Sequence, residues 1–322
     1  MKHCFILNPA EGKGKMAAEI KGKLDAIARA DVEVYETTCV GDATDYIPRR
    51  VADDPKESYR FYACGGDGTL GEAVCGMMAL PKGTDASLGL IPSGTGNDFV
   101  RNFEGGEHFF SIEDQLSAEE EVIDLLRCND RYAVNMVNVG FDCEVVCKTL
   151  DLKKNKLVPK KLTYVLGLII TLIRKPGVRA SVSKNESDAE PKNYLLNTYA
   201  NGCFCGGGFH SNPTASLTDG KLDALFVHPI GRLRFISIVG AYKKGTHLLP
   251  KYAKVLDHEK LDRVDLSFEK TTNVSVDGEV VRADELHLSV EKDALRFLVP
   301  KGATMKSKHR GAEVSVEETL SV

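Results

Sequence analysis

The sequence predicts two domains of different class: an α/β domain of three layers built on a parallel sheet, followed by an antiparallel β-sandwich domain. Three observations predict this. The chain has 322 residues, which is more than one hydrophobic core usually organises. Its first third alternates strand-like and helix-like segments, a pattern typical of a parallel sheet covered by helices. Beyond about residue 120, short β-like runs follow one another with turn signals between them, which is typical of an antiparallel sandwich or barrel.

The first domain, predicted over residues 1–125, rests on the spacing of its apolar residues. In the first helical segment, Met16, Ile20, Leu24 and Ile27 recur at three or four residues, which places them on one helix face. The predicted strands are Cys4–Leu7, Val32–Tyr35, Phe61–Cys64 and Leu88–Ile91, and the predicted helices are Lys15–Ala30, Asp42–Asp53 and Leu70–Leu80. The links between them are short, so each helix is expected to cross over to a parallel strand.

The second domain, predicted over residues 126–300, is mostly short β-like runs, with turn signals at Asp219-Gly220 and Asp277-Gly278. Helical spacing is confined to Leu162–Ile173 and a segment around Leu233–Lys244. The predicted strands are Glu121–Leu126, Arg131–Val139, Tyr194–Ala200, Leu222–Val227, Val264–Phe268, Asn273–Val276, Leu286–Val290 and Leu295–Val299, the first of which leads into the domain. Residues 301–322 are a polar tail that is expected to fray.

Charge and cysteine usage narrow the class of protein. The formal net charge is −4, so the chain is a poor general nucleic-acid binder. Nine cysteines, without zinc-finger or disulfide-framework spacing, indicate a reducing cytosol; Cys143 with Cys147, and Cys203 with Cys205, are interpreted as free thiols. The apolar N-terminal run is too short for a signal peptide, and the longest apolar stretch is too short to span a bilayer. We therefore expect a cytoplasmic protein that at most touches a membrane surface.

Three glycine-bearing loops follow predicted parallel strands. They are Asn8 to Lys15, Gly65-Gly66-Asp67-Gly68-Thr69, and Pro92 to Asp98. Each alone is more often a plain turn, but all three leave the carboxyl ends of strands, where open α/β sheets bind ligands. Glycine lets the backbone approach a ligand closely, and backbone N–H groups at a helix N-terminus favour a phosphate. Together the loops are better explained by one phosphate-bearing ligand.

The carboxylate of Asp67 lies inside the second of these loops. Beside a phosphate it would be repulsive unless a divalent cation bridged the two. The alternative is a tight strand-to-helix turn in which Asp67 caps the helix. None of the three loops matches the Gly-x-x-x-x-Gly-Lys-Ser/Thr phosphate loop or the dinucleotide Gly-x-Gly-x-x-Gly fingerprint. The residues therefore indicate a metal–nucleotide complex without assigning a known loop type.

The same loops carry a family resemblance. Asn8-Pro9 with Gly12, Gly65-Gly66-Asp67-Gly68-Thr69, and Gly94-Thr95-Gly96-Asn97-Asp98-Phe99 are similar in order and spacing to the diacylglycerol kinase catalytic domain family. Related bacterial lipid kinases, and more distantly sphingosine and ceramide kinases, belong with it. Gly-Gly-Asp-Gly also occurs in NAD kinases and phosphofructokinases, so the third loop and Val276-Asp277-Gly278-Glu279 make the resemblance specific. It extends to about residue 300 and implies an NAD kinase/diacylglycerol kinase-like fold.

The resemblance also implies roles for individual residues, with ATP in a cleft between the domains and Mg²⁺ on its phosphates. Asp67 would lie beside those phosphates, and Glu279 would be the general base. Asp98 and Asp124 match acidic positions of a charged network. The implied ATP contacts are Asn8, Pro9, Ala10, Glu11, Gly12, Thr37, Gly65, Gly66, Asp67, Gly68, Thr69, Leu70, Gly71, Glu72 and Thr95, and a structural magnesium site would use Ser216, Asp219 and Lys221. In that last segment an apolar or aromatic residue that commonly follows the glycine in the family is replaced by Lys221.

Elementary chemistry agrees with those roles but does not require them. Phosphoryl transfer to an alcohol needs held phosphates, a metal and a base, and a hairpin end can present Glu279 as that base. By itself, a Glu after an Asp-Gly turn is usually a solvated hairpin residue. Asp98 is alternatively a helix cap. Asp124 interrupts an apolar run, so it either faces solvent or is buried and paired; pairing is the interpretation favoured here.

The function that follows is transfer of the γ-phosphoryl group of ATP to a lipid alcohol, with diacylglycerol and phosphatidate as the expected substrate and product, as in phospholipid biosynthesis. The alternatives are a kinase of the same superfold acting on NAD or a soluble polyol, and a regulator that binds nucleotide without catalysis. No nucleic-acid partner is expected, and a homodimer is left open.

A basic cluster surrounds the apolar segment Leu162–Ile173. Its members are Lys148, Lys153, Lys154, Lys156, Lys160, Lys161, Arg174 and Lys175. The cluster is either a solvated charged face beside a core helix or an interfacial anchor for anionic headgroups. The second interpretation places the protein at the inner face of the membrane.

Overall fold

The computed structural model describes residues 1–306 except 11–13, 28, 95, 155–157, 160–161, 175–176 and 186–188. Within these residues the chain divides into two compact units. Unit 1 comprises Met1–Leu125 and the described residues from 292 onward, and unit 2 is Leu126–Glu291. The sequence interpretation gave residues 126–300 to the second domain. In the structure the chain returns to unit 1 at Lys292 because its last long strand pairs there.

Unit 1 contains a parallel sheet covered by helices. Its strands are β1 (Lys2–Leu7), β2 (Val32–Glu36), β3 (Tyr59–Gly65), β4 (Ala86–Pro92) and β5 (Phe103–Glu104); its helices are α1 (Lys15–Ile27), α2 (Asp42–Asp53), α3 (Asp67–Met78) and α4 (Ile112–Leu116). Strand β1 pairs in parallel with β2 and β3, and β3 pairs in parallel with β4. The carboxyl ends of β1, β2, β3 and β4 therefore lie at one edge of this sheet, as predicted, whereas β5 belongs to a separate two-stranded sheet.

Two long strands connect the units. They are β6 (Glu119–Cys128) and β15 (Glu279–Val299). The end of β15 pairs in parallel with β4 at Phe297 and Leu88. The ring of Phe297 packs with those of Phe99 and Phe103 at centroid distances of 5.2 and 5.9 Å. This aromatic packing fixes the returning strand in the core of unit 1.

Unit 2 is built on antiparallel strands. They are β7 (Arg131–Ala133), β8 (Met136–Gly140), β9 (Val178–Lys184), β10 (Lys192–Tyr194), β11 (Leu196–Ala200), β12 (Leu222–Val227), β13 (Leu256–Leu261) and β14 (Arg263–Val276), and a short strand β16 (Thr304–Met305) returns to pair with β5 in unit 1. Neighbours follow the order β13-β12-β11-β8-β14-β15. The predicted antiparallel architecture is confirmed, although two pairs of predicted runs are each one continuous strand, β14 and β15.

Three helices complete unit 2. They are α5 (Phe141–Lys154), α6 (Thr163–Arg174) and α7 (Arg232–Lys244). The last two lie on the two predicted apolar segments, whereas α5 was not predicted. A cluster of buried residues that includes Phe141, Phe235 and Tyr242 joins α5 and α7 to the sheet. No helix among the described residues is long and apolar enough to cross a bilayer.

Candidate active site

The loop after β1 is held to the start of α3 by one asparagine. The side-chain amide of Asn8 donates to the hydroxyl of Thr69 at 2.9 Å, and its carbonyl accepts the backbone N–H of Ala10 at 3.0 Å. The backbone N–H of Asn8 also donates to the carbonyl of Cys64 on β3 at 3.0 Å. The loops after β1 and β3 are thus joined. Pro9 and Ala10 are exposed, and the predicted contacts Glu11 and Gly12 lie outside the described residues.

The loop after β3 turns directly into α3. A Cβ on Gly65 would lie 2.2 Å from the hydroxyl oxygen of Thr69, so this position excludes a side chain. Helix α3 begins at Asp67 with Gly66 as its N-cap, and its first-turn N–H groups form the end of a helix dipole that favours anions. A Cβ on Gly71 would meet nothing within 4 Å among the described atoms. The protein leaves space above the first turn of α3, beside Glu72, while Gly68 is half-buried and Leu70 is buried.

Two aspartates converge where the loops after β3 and β4 meet. The backbone N–H of Asp98 donates to the Asp67 carboxylate at 3.1 Å. A Cβ built on Gly96 would lie 2.9 Å from an oxygen of Asp67 and 3.7 Å from an oxygen of Asp98. Both carboxylates therefore approach one point that only a glycine leaves open. Thr95, the remaining predicted contact of this loop, lies outside the described residues.

This pair of carboxylates fits a magnesium ion that also binds phosphate. Mg²⁺ prefers oxygen ligands and is commonly held by one or two carboxylates together with substrate phosphates. Asp67 is half-buried and Asp98 is buried. Asp98 also forms an ion pair with Arg101 at 3.4 Å. Among the described residues no group of three or more His, Cys, Asp and Glu side chains is placed to hold a metal.

Thr37 joins the same edge of the sheet from β2. Its backbone N–H donates to the carbonyl of Leu7 at 2.9 Å, next to Asn8. The following turn is closed by Asp42, which accepts the backbone N–H of Thr38 at 2.7 Å and the hydroxyl of Tyr35 at 2.8 Å. These hydrogen bonds hold the pKa of Asp42 below its usual range. Thr37 therefore has a fixed position beside the first loop.

Asp124 is buried, with 2% of its surface exposed. Its carboxylate accepts the backbone N–H of Asp293 at 2.9 Å, so it ties β6 to the returning part of β15. Of the two alternatives stated for Asp124, the buried and hydrogen-bonded one is observed. Its membership with Asp98 in one charged network stays a prediction.

Glu279 lies in unit 2 at the first position of β15, opposite Val276. Its carboxylate forms an ion pair with Arg131 at 3.1 Å, and both side chains are exposed, by 40% and 47%. A carboxylate held at the end of a hairpin and open to solvent can accept a proton from a bound alcohol. The same exposure is what a solvated hairpin residue would show, so its role as base stays a prediction.

The turn before Glu279 depends on Asp277, whose role the sequence analysis did not identify. Its carboxylate accepts three consecutive backbone N–H groups, those of Val134 at 2.7 Å, Asn135 at 3.1 Å and Met136 at 2.7 Å. Its backbone is in the left-handed region, with φ of 46°, which Asp tolerates better than most residues. Asp277 thus fixes the hairpin that presents Glu279. The sequence signal was present, as Asp-Gly, but it indicates only a turn.

Asp219 lies in the loop before β12, with each carboxylate oxygen already bonded. One oxygen accepts the backbone N–H of Lys221 at 3.0 Å, and the other forms an ion pair with the ammonium group of Lys260. Ser216 accepts the N–H of Thr218 within the same loop. In this arrangement the ammonium group of Lys260 already neutralises the Asp219 carboxylate. Magnesium at Ser216, Asp219 and Lys221 stays a prediction, and no step below is derived through it.

A buried hydrogen-bonded group beside that loop was also missed. Asp223, 1% exposed, bonds to His258 at 2.8 Å and accepts the side-chain amide of Asn212 at 2.9 Å. Burial alone would raise the pKa of Asp223, but the hydrogen bonds from His258, Thr214 and Asn212 lower it below its usual range. The group holds the loop against β12 and β13, which is a structural role.

An apolar cavity lies within unit 2, walled by α5, α6 and α7. Its space, including the part open to solvent, is about 690 Å³. The lining is mainly aliphatic and aromatic: Asn138, Phe141, Asp142, Val146, Leu168, Leu196, Cys205, Gly206, Phe209, Val227, Ile230, Phe235, Ile238, Val239 and Tyr242. Ligand pockets of this kind combine apolar walls with few polar groups.

Asp142 is the acidic group of this cavity. Its carboxylate accepts the hydroxyl of Tyr242 at 2.7 Å. Burial raises the pKa of Asp142 to about 6, and the Tyr242 hydrogen bond opposes that rise. The cavity therefore carries one weakly acidic hydrogen-bonding group in an otherwise apolar wall. Nothing in the local sequence distinguished Asp142, because its partner is one hundred residues away.

All nine cysteines are free thiols. Cys143 and Cys203 are buried, and Cys147 and Cys205 are partly exposed. The interpretation of these four cysteines as free thiols agrees with the described structure.

Comparison with protein families covers most of the chain. Residues 2–128 match the model of the diacylglycerol kinase catalytic domain. Residues 135–299 match that of the YegS C-terminal NAD kinase beta sandwich-like domain. The two matched regions meet close to the boundary between the units. The chain therefore belongs to the diacylglycerol kinase catalytic domain family of lipid kinases, in which a sandwich domain follows the catalytic domain.

Individual relatives agree with this assignment. The chain is 28% identical over 293 residues to "Diacylglycerol kinase" of Bacillus subtilis, covering 85% of this chain and 88% of that protein. It is 25% identical over 254 residues to "Probable lipid kinase YegS-like" of Chromohalobacter salexigens, covering 77% and 78%. The crystal structure of a diacylglycerol kinase from Bacillus anthracis shares the fold, with a TM-score of 0.65, 18% identity and coverage of 93% and 97%. Membership of a kinase family makes this chain a phosphotransferase with ATP as the expected phosphate donor.

Proposed function

We propose that this protein phosphorylates a membrane lipid alcohol, with diacylglycerol as the acceptor and phosphatidate as the product. The observation that carries the lipid acceptor is the apolar cavity of unit 2. An acceptor such as NAD or a soluble polyol would call for a lining rich in hydrogen-bonding groups, whereas this lining offers few besides Asn138, Asp142 and Tyr242. An acyl chain gains free energy from such walls in proportion to the apolar area it buries.

The nucleotide would be held by unit 1. The N–H groups at the start of α3, reinforced by the helix dipole, suit the phosphates of ATP. Asn8 and Thr69 fix the loops that surround them. The carboxylates of Asp67 and Asp98 would hold Mg²⁺, which neutralises charge on the phosphates when bound. Because no described atom lies within 4 Å of the place that a Cβ of Gly71 would take, phosphate oxygens can approach the backbone of α3 closely there.

The acceptor hydroxyl must lose a proton as its oxygen bonds to phosphorus. Glu279 is the residue proposed to take that proton. Arg131 and the turn built on Asp277 hold its carboxylate at one position, so that less reorganisation is needed at the moment of transfer. General-base assistance of this kind typically contributes 10²–10⁴ in rate.

The acceptor class is tested by narrowing the cavity. Val239→Trp on α7 fills space between its walls, and Phe110→Trp on the surface of unit 1 is the matched control, since Phe110 is 47% exposed. Activity is measured on diacylglycerols of increasing acyl length in detergent. We expect Val239→Trp to lower kcat/KM for diacylglycerols with long acyl chains by at least about tenfold, which corresponds to a loss of ~1.4 kcal/mol of contact between acyl chain and cavity. The kcat/KM for the diacylglycerol with the shortest chains should be unchanged. Equal losses for all lengths, or activity on no diacylglycerol, would contradict the proposal.

A further inference from the structure

Helices α6 and α7 carry apolar side chains on two sides. On the inner side Leu168 of α6 and Phe235 of α7 line the cavity. On the outer side Ile169 of α6 is 48% exposed, and Leu233 and Ile236 of α7 are 86% and 56% exposed. Leu162 and Leu166, which share a helical stripe with Ile169, are also exposed. Large apolar residues exposed on the face of a helix opposite its packed side are candidates for an interaction site.

The distribution of charged residues in the segments that carry α6 and α7 indicates the kind of partner that this surface binds. Acidic residues make up one in seven of the whole chain, 46 of 322, yet residues 152–177 and 228–256 contain none. These two segments together hold thirteen Lys and Arg. On α7, Arg234, Lys243 and Lys244 are exposed. The segments that carry α6 and α7 are thus basic and apolar, whereas α5, the third helix that walls the cavity, carries Asp142, Glu144 and Asp151.

We infer that the outer faces of α6 and α7 form a docking surface for an anionic bilayer, here called the α6/α7 surface. It consists of Leu162, Leu166, Ile169, Leu233 and Ile236 with the exposed basic residues Arg234, Lys243 and Lys244 of α7. Lys156, Lys160, Lys161 and Lys175 of the predicted basic cluster lie outside the described residues. Basic side chains are drawn to anionic headgroups, while apolar side chains enter the boundary between headgroups and acyl chains. The inference rests on the proposed function in that a lipid acceptor brings the protein to a bilayer. It adds which part of the chain makes the contact.

A bilayer explains the combination better than the other occupants do. A second copy of this chain would bring the same basic segments face to face, and like charges in contact are costly. An acidic protein would account for the lysines and arginines, but not for an isoleucine and a leucine that point outward from helices whose inner residues line an apolar cavity. A bilayer supplies anionic charge and an apolar interior at once. It also holds the proposed substrate.

The test is co-sedimentation with vesicles. Leu233→Gln/Ile236→Gln removes apolar side chains from the α6/α7 surface and keeps its charge. The matched control is Phe110→Gln/Val122→Gln, which changes two residues of unit 1 that are 47% and 42% exposed. Each protein is mixed with vesicles of phosphatidylcholine alone or with phosphatidylglycerol, at low and high salt. Sedimentation velocity without lipid reports the oligomeric state, and activity on detergent-dispersed diacylglycerol reports catalysis.

Wild type and control should bind the anionic vesicles at low salt, bind less at high salt, and bind phosphatidylcholine weakly. Leu233→Gln/Ile236→Gln should lower the partition coefficient on anionic vesicles by about 10- to 100-fold, because two large apolar side chains are no longer withdrawn from water at the bilayer surface. Its activity in detergent should equal that of wild type. Equal vesicle binding by variant and wild type would overturn the inference, as would a wild-type dimer that the variant dissociates. Vesicle binding without lipid phosphorylation would instead refute the proposed function alone.

Discussion

Asp277 and Glu279 are two residues apart, and the structure gives them opposite roles. Asp277→Asn should destabilise unit 2 because the Asp277 carboxylate accepts three backbone N–H groups, whereas an amide has only one oxygen. The residues that supply those N–H groups are nearly fully buried, with Val134 and Met136 at 1% exposure and Asn135 at 7%. Asn tolerates the left-handed backbone of position 277. The substitution therefore changes hydrogen bonding without adding backbone strain.

The magnitude follows from counting bonds. In the better orientation the Asn oxygen keeps two of the three N–H partners, and the amide group faces the third. One buried N–H without an acceptor costs ~1–3 kcal/mol, and the two remaining bonds each lose about 0.5–1 kcal/mol of charge assistance. The expected loss is about 2–5 kcal/mol in the free energy of unfolding. With an m-value of ~2 kcal/mol/M, the urea midpoint of unit 2 should fall by about 1–2.5 M.

Glu279→Gln is the matched control. The Arg131–Glu279 pair is exposed, and such pairs contribute ~0–1 kcal/mol, so the urea midpoint should hardly move. Activity should fall by ~10²–10⁴ because Gln cannot accept the proton. Circular dichroism and tyrosine fluorescence follow unfolding in this tryptophan-free chain, and labelled ATP follows activity. An Asp277→Asn midpoint within about 0.3 M of wild type would refute the hydrogen-bond count, well below the shift worked out above. A fully active Glu279→Gln protein would make Glu279 a hairpin residue only.

Three further predictions concern the nucleotide loop, the cavity and the basic cluster. Asp67→Ala should abolish activity with the urea midpoint unchanged, whereas Gly65→Ala should also perturb the fold because its Cβ would meet Thr69; full activity of Asp67→Ala at limiting magnesium would contradict the role of Asp67. Because the folded pKa of Asp142 is raised to about 6 from an ordinary value near 4, the folded form binds the proton more tightly, and the contribution of Asp142 to the free energy of unfolding should fall as pH rises from about 4 to 6, by up to ~2–3 kcal/mol. Asp142→Asn should remove that decline in a urea series across pH, and identical curves for the two proteins would contradict it. Replacing Lys153, Lys154, Lys156, Lys160 and Lys161 with Gln should weaken binding to anionic vesicles by several kcal/mol at most, at ~1 kcal/mol per lysine, and make binding less sensitive to salt; equal binding by variant and wild type would leave these lysines as a solvated face.

Local patterns in the sequence predict most of the elements. Helix α2 and strand β12 begin and end at the predicted residues, because each is bounded by clear breaks in apolar spacing. The predicted run Arg131–Val139 is instead two strands, since the carboxylate of Asp277 takes the N–H groups between them. Runs on either side of Glu269 form one strand with an irregular register. Polar residues on an exposed strand look like a break in sequence, but the backbone continues.

The candidate site likewise has parts that the sequence predicts and parts that it does not. Glycine spacing in the sequence indicates the loops after β1, β3 and β4, because a tight turn at a strand end requires particular residue types within the turn itself. The contact of Asp67 with Asp98 joins residues thirty-one apart, and the Tyr242–Asp142 bond joins residues one hundred apart. Neither leaves a local signal. The cavity likewise could not be predicted from the sequence, since its lining comes from scattered apolar residues on separate elements.

The central claim is that this chain moves a phosphoryl group from ATP to a lipid hydroxyl, and one measurement tests it most directly. The purified protein is incubated with γ-labelled ATP, magnesium and a panel of acceptors: diacylglycerol, a sphingoid base, an isoprenoid alcohol, glycerol and NAD. The labelled product is identified by chromatography and mass spectrometry, with Asp67→Ala and Glu279→Gln in parallel. The account predicts label in phosphatidate for wild type and a loss of that label in both variants. Label in NAD or glycerol with none in any lipid, or wild type that binds ATP and transfers nothing, would contradict it.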